Sequence, residues 1–133
     1  MGHLSHRRYV EAMARILVVD DQVELAELIQ AVLEGDGHAV EVVHGGQPAL
    51  ERLGQAVYDL VVCDLQMPDV DGAAVARAVE QLAQPRPALL LMTGYADGPT
   101  DAEFLQTTPA IVLNKPVGIN ALRERVRSLL QNR

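Results

Sequence analysis

The chain has 133 residues, of which 49% are apolar, and its net charge is −7. This length suits one domain around one core, and the apolar content excludes a disordered chain. The negative charge argues against nucleic-acid binding, and no apolar run reaches the roughly 20 residues of a membrane span. The single cysteine and the lack of a secretory signal favour a soluble, cytoplasmic protein with neither nucleic-acid nor membrane partners.

Apolar runs and helical periodicities alternate along the chain and predict five strands and five helices. Residues 1–14 show no clear period and are expected to form a tail or linker, so the domain is expected over residues 15–133. The strands are predicted at residues 16–19, 39–43, 60–63, 88–92 and 110–113. The helices are predicted at about residues 25–33, 48–53, 73–84, 101–106 and 119–129. The residues of the first helix expected to face the core are Leu25, Leu28, Ile29, Val32 and Leu33.

The strand pattern indicates the fold class. Most predicted strands are continuous apolar runs, which is typical of a parallel sheet covered by helices on both faces. Because strand–helix–strand crossovers are right-handed, this alternation predicts a doubly wound α/β domain. In such sheets ligands bind at the carboxyl ends of the strands, so the functional residues are expected at that edge.

Chemically suitable residues follow four of the predicted strands. Asp20 and Asp21 follow the first strand, Asp64 follows the third, Thr93 the fourth, and Lys115 lies just after the fifth. Because parallel strands bring their carboxyl ends to one edge, these side chains are expected to converge. Three acids, a hydroxyl and an amine could together hold a divalent metal and a phosphoryl group.

The adjacent acids Asp20 and Asp21 allow two interpretations. Asp21, with Glu24 three residues later, resembles a capping box for the first helix. A cap needs only one acid, however, and two like charges 4 Å apart cost about 4 kcal/mol at an effective dielectric near 20. A proton on one carboxyl or a cation between them would relieve this repulsion, and Mg²⁺ is the natural cation because it prefers oxygen. Asp64 could be a metal ligand, a nucleophile or both.

Taken together, these motifs resemble the receiver domain of two-component response regulators. The matching motifs are Asp20-Asp21, Asp64 with Met67-Pro68 and Asp71-Gly72, Thr93-Gly94, and Lys115-Pro116. The resemblance covers about residues 15–133. It implies a flavodoxin-like fold, with a five-stranded parallel sheet in the order 2-1-3-4-5 and five helices, and a Lys115–Pro116 bond that is often cis.

The resemblance also implies a chemical reaction and its cofactor. Asp64 would accept a phosphoryl group from a phosphohistidine on a sensor histidine kinase or a histidine phosphotransfer protein. Asp20, Asp21, Asp64 and the backbone carbonyl of Gln66 would hold Mg²⁺. The chain would catalyse only its own phosphorylation and dephosphorylation, so it is not expected to be an enzyme.

Other residues would stabilise the phosphorylated state or adjust its lifetime. Thr93 would hydrogen-bond the attached phosphoryl group, and Lys115 would pair with one of its oxygens, or with Asp64 when that residue is unmodified. Gln66 and Tyr95 lie two residues after Asp64 and Thr93, at positions that border the hydrolytic water in receivers. We predict that both side chains change the lifetime of the acyl phosphate.

The sequence departs from the family pattern at Val112, where an aromatic residue is usual three positions before the lysine. A valine has no ring to rotate in response to Thr93. Our hypothesis is that the output signal runs through residues 93–98 and the short fourth helix. A downstream protein would contact the fourth helix, fifth strand and fifth helix of a monomer or weak homodimer.

The sequence leaves alternatives open. We expect a stand-alone single-domain response regulator; the alternative is a receiver taken from a hybrid histidine kinase or a multidomain regulator. A phosphatase with an aspartyl nucleophile is disfavoured, because Gln66 occupies the place of its second acid and cannot protonate a leaving group. Neither glycine-rich nucleotide motif occurs. A receiver that works without phosphorylation is disfavoured because all the chemical residues are present.

Overall fold

The computed structural model describes residues 14–94 and 99–131. The strands are β1 (Arg15–Val19), β2 (Ala39–Val43), β3 (Leu60–Asp64), β4 (Ala88–Thr93) and β5 (Ile111–Asn114). The helices are α1 (Val23–Gly35), α2 (Gly46–Leu53), α3 (Gly72–Glu80), α4 (Pro99–Thr107) and α5 (Ile119–Gln131). Tyr95 and residues 1–13 of the predicted tail lie outside the described residues.

All neighbouring strands run parallel, in the order β2-β1-β3-β4-β5. This confirms the doubly wound sheet and its strand order. The register places Val19 beside Cys63 and Asp64 beside Met92. The last residue of β4, Thr93, lies beside the last residue of β5. The segments that leave β1, β3, β4 and β5 therefore start at the same edge of the sheet.

Alternate side chains of the central strands enter two apolar layers, one on each face of the sheet. Ile16 and Val62 pack in the layer beneath α1 and α5. Leu17 and Val61 pack in the opposite layer, beneath α2, α3 and α4. All five residues of β3 are buried, so Asp64 ends a strand that has no exposed position.

The apolar stripe of α1 is narrower than predicted. Leu28 was expected to face the core, but it is 48% exposed. The buried positions of α1 are Ala26, Ile29 and Leu33. Leu28 precedes Ile29 by one residue, which turns it about 100° around the helix axis and out of the buried face.

The third helix is shorter than predicted. It ends at Glu80 rather than near residue 84. The N–H of Gln81 closes the final turn by donating to the carbonyl oxygen of Arg77 at 3.1 Å. Pro85 disfavours helical conformation in the residue before it, which explains why the helix does not resume. None of the helices in the described part of the chain has the length and apolarity that a membrane span requires.

Candidate functional site at the carboxyl edge of the sheet

The acids that follow β1 and β3 lie together at the carboxyl edge of the sheet. One carboxylate oxygen from each of Asp20, Asp21 and Asp64 lies within 4.8 Å of the others. Asp20 is fully buried and Asp64 is 2% exposed. The structure thus brings together the three acids that the strand ends identified. We call Asp20, Asp21 and Asp64 the acidic group.

One ammonium group partly offsets this negative charge. Nζ of Lys115 lies 3.3 Å from Oδ2 of Asp64 and 3.5 Å from Oδ2 of Asp20. It also donates a hydrogen bond of 3.0 Å to Oε1 of Gln22. The backbone N–H of Lys115 donates to the Thr93 carbonyl at 2.7 Å, which joins the end of β5 to the end of β4. The peptide bond after Lys115 is cis.

Gln22 is a site residue that the sequence did not reveal. It is the N-cap residue of α1, and its side chain makes no capping bond. Its backbone N–H donates to Oδ1 of Asp20 at 2.9 Å. The capping-box interpretation of Asp21 and Glu24 is therefore wrong, because the helix begins one residue later. No sequence signal marks Gln22, since its contact with Lys115 joins residues 93 positions apart.

The acidic group fits the cation that the family resemblance implies. Oδ1 of Asp20 accepts the Gln22 N–H, but Oδ2 is a buried oxygen without a hydrogen bond among the described residues. Burying an oxygen without a hydrogen bond is costly, and the Lys115 ammonium at 3.5 Å offsets this cost only in part. Three carboxylates against one ammonium also leave negative charge in excess. Mg²⁺ suits this set because it binds carboxylate oxygens and keeps several of its waters.

Burial and crowding of charge change the ionisation of Asp64. Burial, followed by the charge of Asp20, raises the pKa of Asp64 from 3.8 to about 6, and Lys115 opposes this shift. Positive charge placed near Asp64 therefore favours its ionised form. Burial also raises the pKa of the Cys63 thiol, whose Sγ donates to the Asp64 backbone carbonyl at 3.3 Å. The thiol remains protonated, as expected for a buried and inert cysteine.

Thr93 and Gln66 complete the site on the β4 side. Thr93 is buried at the end of β4, and Nε2 of Gln66 donates to its Oγ1 at 2.9 Å. The backbone N–H of Gln66 donates to Oδ1 of Asp64 at 3.2 Å. Val112 is partly buried and packs in the apolar layer beneath α2, α3 and α4, so it belongs to the core. The prediction for Tyr95 lies outside the described residues.

The loop after β3 is fixed to α2 by Asp69, a second residue whose role the sequence did not reveal. Its carboxylate oxygens accept the N–H groups of Gly46 at 3.1 Å and Gln47 at 3.0 Å. These bonds, that of Gln47 first, lower the pKa of Asp69 to about 2. A Cβ on Gly46 would lie 2.2 Å from the Val70 carbonyl oxygen, so only glycine fits. The Gly45-Gly46 pair is visible in the sequence, but such a pair by itself indicates only a turn.

The parallel sheet in the order β2-β1-β3-β4-β5, with three acids at its carboxyl edge, is the arrangement expected of a receiver domain. The family model described as response regulator receiver domain matches residues 16–127. The chain belongs to this family, the receiver domains of two-component response regulators. The resemblance drawn from the motifs is confirmed.

Two curated relatives show how much of a longer protein the chain matches. The transcriptional regulatory protein ZraR of Escherichia coli K12 is 36% identical over 115 residues, which cover 86% of this chain and 26% of ZraR. The transcriptional regulatory protein CutR of Streptomyces coelicolor is 38% identical over 115 residues, which cover 86% of this chain and 52% of CutR. The chain thus spans about a quarter of ZraR and about half of CutR.

Solved structures share the fold. The receiver domain of the Francisella response regulator 1452 has a TM-score of 0.77 and 25% identity, covering 90% of this chain and 98% of that chain. Response regulator TrrA of Thermotoga maritima, solved with Mg²⁺ and BeF, has a TM-score of 0.74 and 29% identity, covering 86% of this chain and 97% of that chain. These similarities confirm the flavodoxin-like receiver fold.

Proposed function

We propose that Asp64 is the phosphoacceptor of this receiver domain and that it takes a phosphoryl group from a phosphohistidine. The observation that supports this most strongly is the position of its carboxylate. It is buried within the acidic group, with the Lys115 ammonium 3.3 Å from Oδ2. A carboxylate oxygen is a competent nucleophile toward phosphorus when nearby positive charge stabilises the transferring group.

In the proposed step, a carboxylate oxygen of Asp64 forms a bond to phosphorus while the bond between phosphorus and the histidine nitrogen breaks. The imidazole leaves with the electron pair of that bond, and an acyl phosphate remains on Asp64. The Lys115 ammonium would offset negative charge on the phosphoryl oxygens. The Thr93 hydroxyl would donate a hydrogen bond to one of them.

We propose that the reaction depends on Mg²⁺. The ligands would be Asp20, Asp21, Asp64 and the backbone carbonyl of Gln66, and the ion would supply positive charge to the phosphoryl oxygens. The buried Oδ2 of Asp20, which has no hydrogen bond among the described residues, supports this proposal. Asp20 also keeps Lys115 close to Asp64, because its Oδ2 lies 3.5 Å from the ammonium.

The proposed donor is a sensor histidine kinase or a histidine phosphotransfer protein, and the proposed output is a protein that contacts α4, β5 and α5. We propose that residues 15–133 act as a stand-alone receiver in the cytoplasm. ZraR and CutR are longer and are named transcriptional regulators, which favours the alternative that the receiver controls a further domain.

The chain is proposed to promote only its own phosphorylation and dephosphorylation. Gln66 has no acidic proton with which to assist a leaving group, so turnover on phosphomonoesters is not expected. The amide of Gln66 and the side chain of Tyr95 would instead change how quickly the acyl phosphate on Asp64 is hydrolysed. Decay at the wild-type rate in both Gln66→Ala and Tyr95→Ala would contradict this role.

Intact-mass measurement after incubation with MgCl₂ and acetyl phosphate tests the phosphoacceptor. We expect a mass gain of one phosphoryl group that is lost in Asp64→Asn and on addition of a chelator. Asp69→Asn is a matched control, because Asp69 lies in the loop that follows Asp64 but outside the acidic group, and it should keep the gain. A gain that persists in Asp64→Asn, or no gain in the wild-type protein, overturns the proposal.

A further inference from the structure

Gln66 uses its side-chain amide to join the ends of β3 and β4. Nε2 donates to Oγ1 of Thr93 at 2.9 Å, and Oε1 accepts the N–H of Gly94 at 3.1 Å. The backbone N–H of Gln66 donates to Oδ1 of Asp64 at 3.2 Å. One residue therefore contacts both the proposed phosphoacceptor and the hydroxyl expected to bind the phosphoryl group. We call Gln66, Thr93 and Gly94 the Gln66 bridge.

The direction of the hydrogen bonds in the Gln66 bridge follows from Gly94. A backbone N–H can only donate, so the amide oxygen of Gln66 faces Gly94 and the NH₂ group faces Thr93. An NH₂ group also can only donate, so Oγ1 of Thr93 accepts this bond. The hydroxyl proton of Thr93 is consequently directed to an acceptor other than Gln66. A hydroxyl that accepts one hydrogen bond is a stronger donor in its own right.

We propose that Gln66 is a positioning residue that sets Thr93 as a hydrogen-bond donor to the phosphoryl group on Asp64. This inference rests on the proposed function and gives the side chain of Gln66 a further role in it, through Thr93. Gln66 acts through Thr93: its amide fixes the rotation of the hydroxyl and holds Gly94, the first residue after β4. A side chain at position 66 that offers no donor to Thr93, or that faces Thr93 with an acceptor, weakens binding of the phosphoryl group.

Calorimetric titration with beryllium fluoride and MgCl₂ measures this effect. Gln66→Met keeps the length of the side chain and removes both hydrogen-bonding atoms, and it should weaken binding about three- to tenfold. Gln66→Glu presents an acceptor to Thr93 and should weaken binding further. Gln81→Met changes an exposed glutamine just after α3 and should bind as the wild type does.

The same substitutions in a Thr93→Val background separate positioning from other effects. Valine has no hydroxyl to orient, so Gln66→Met should change the affinity there by less than about twofold. In that background Gln66→Glu should keep only the effect of its added charge. Equal affinity in Gln66→Met and the wild type overturns the inference. The inference is also overturned if Gln66→Met lowers the affinity for beryllium fluoride as much in the Thr93→Val background as in the protein that retains Thr93.

Hydrogen exchange of the Gly94 amide tests the Gln66 bridge without metal or mimic. The amide should exchange about three- to tenfold faster in Gln66→Met, because it loses its acceptor. Gln66→Ala provides the same test if the methionine variant does not fold. An unchanged exchange rate overturns the inference.

The two proposals fail in different ways. Failure of the proposed function appears as no Asp64-dependent binding of beryllium fluoride in the wild-type protein. If only the inference on Gln66 fails, the wild-type protein still binds beryllium fluoride and Asp64→Asn still does not.

Discussion

Two groups of charged side chains, the acidic group and a second group around Glu41, differ in how their charges are balanced. The Glu41 group consists of Arg15, Glu41, Arg52 and Tyr58. Arg52 donates to both carboxylate oxygens of Glu41, at 2.5 and 3.1 Å, and the Tyr58 hydroxyl donates to one of them at 2.9 Å. Arg15 lies 5.3 Å from the centre of the Tyr58 ring. These contacts, that of Arg52 first, lower the pKa of Glu41.

The acidic group has the opposite balance. Its three carboxylates share one ammonium, one buried oxygen of Asp20 makes no hydrogen bond within the described part of the chain, and burial raises the pKa of Asp64. A saturated ion pair such as that of Glu41 has little to gain from a ligand. An undercompensated, buried carboxylate is stabilised by any cation that reaches it, and such perturbed groups concentrate at functional sites.

The largest loss of stability is expected from a substitution that crowds the backbone behind the acidic group. A Cβ on Gly72 would lie 2.3 Å from the Asp64 carbonyl oxygen and 2.6 Å from Cα of Leu65. Gly72→Ala should therefore push α3 away from β3 and lower the free energy of unfolding by about 3 kcal/mol or more in urea denaturation. Gly35→Ala is the matched control, because nothing lies within 4 Å of its Cβ position. Similar losses in the two variants would contradict this account.

Neutralising Asp64 should stabilise the protein when no metal is present. Its pKa of about 6 exceeds the ordinary value of 3.8, so the folded state holds the proton more tightly than the unfolded state. Wild-type stability should then fall as pH rises from about 4 to 6, by up to about 3 kcal/mol. Asp64→Asn should lack this fall and be the more stable protein at pH 7.

Thermal denaturation of both proteins with a chelator, across this pH range, measures the difference. Added Mg²⁺ should narrow the gap at pH 7, because the cation stabilises the ionised wild type. An Asp64→Asn protein that is less stable than the wild type at pH 7 without metal would show that Lys115 already compensates the acidic group.

Neutralising Glu41 should lower the stability of the protein, in contrast to neutralising Asp64, and the change should be smaller. Glu41→Gln removes the charge that Arg52 contacts, but it keeps an oxygen that can accept from Tyr58. Because the side chains of the pair are each about one third exposed, solvent weakens their attraction, and the loss should be below about 1 kcal/mol. Chemical denaturation at low and high salt measures it. A stabilised Glu41→Gln would remove the contrast between the two groups.

The smallest effect is expected at Asp69, which is exposed. Asp69→Ala removes the acceptor for the N–H groups of Gly46 and Gln47 and should slightly lower the melting temperature. The pKa of Asp69 falls from 3.8 to about 2, so its stabilising effect is complete above about pH 4 and is lost as pH falls toward 2. Melting temperatures of Asp69→Ala and the wild type should therefore converge at low pH. A difference that stays constant with pH would contradict this origin.

The sequence predicted the sheet well because its signals there are local. Continuous apolar runs mark buried parallel strands. The polar residue that follows such a run is expected at the carboxyl edge of the sheet. The convergence of Asp20, Asp64, Thr93 and Lys115 is therefore predictable from the sequence alone. The burial of the Cys63 thiol follows from the same local signal, because Cys63 lies inside such a run.

The contacts that the sequence did not predict join long side chains to distant loops. Gln22 contacts a lysine 93 positions away, and Asp69 contacts Gly46 and Gln47 from more than 20 positions away. The side chain of Gln66 was predicted to affect phosphate lifetime, but its bond to Gly94 was not. Such contacts depend on loop conformation and rotamer choice, which residue type and spacing do not determine.

Cys63 gives the strand of the proposed phosphoacceptor its own chemical reporter. It is the single cysteine of the chain, and it is fully buried in β3. A thiol-reactive dye can label it only when that strand opens to solvent. The labelling rate therefore measures local opening of β3 directly. Comparing this rate in unmodified and phosphorylated protein would show how far the modification tightens the interior of the sheet.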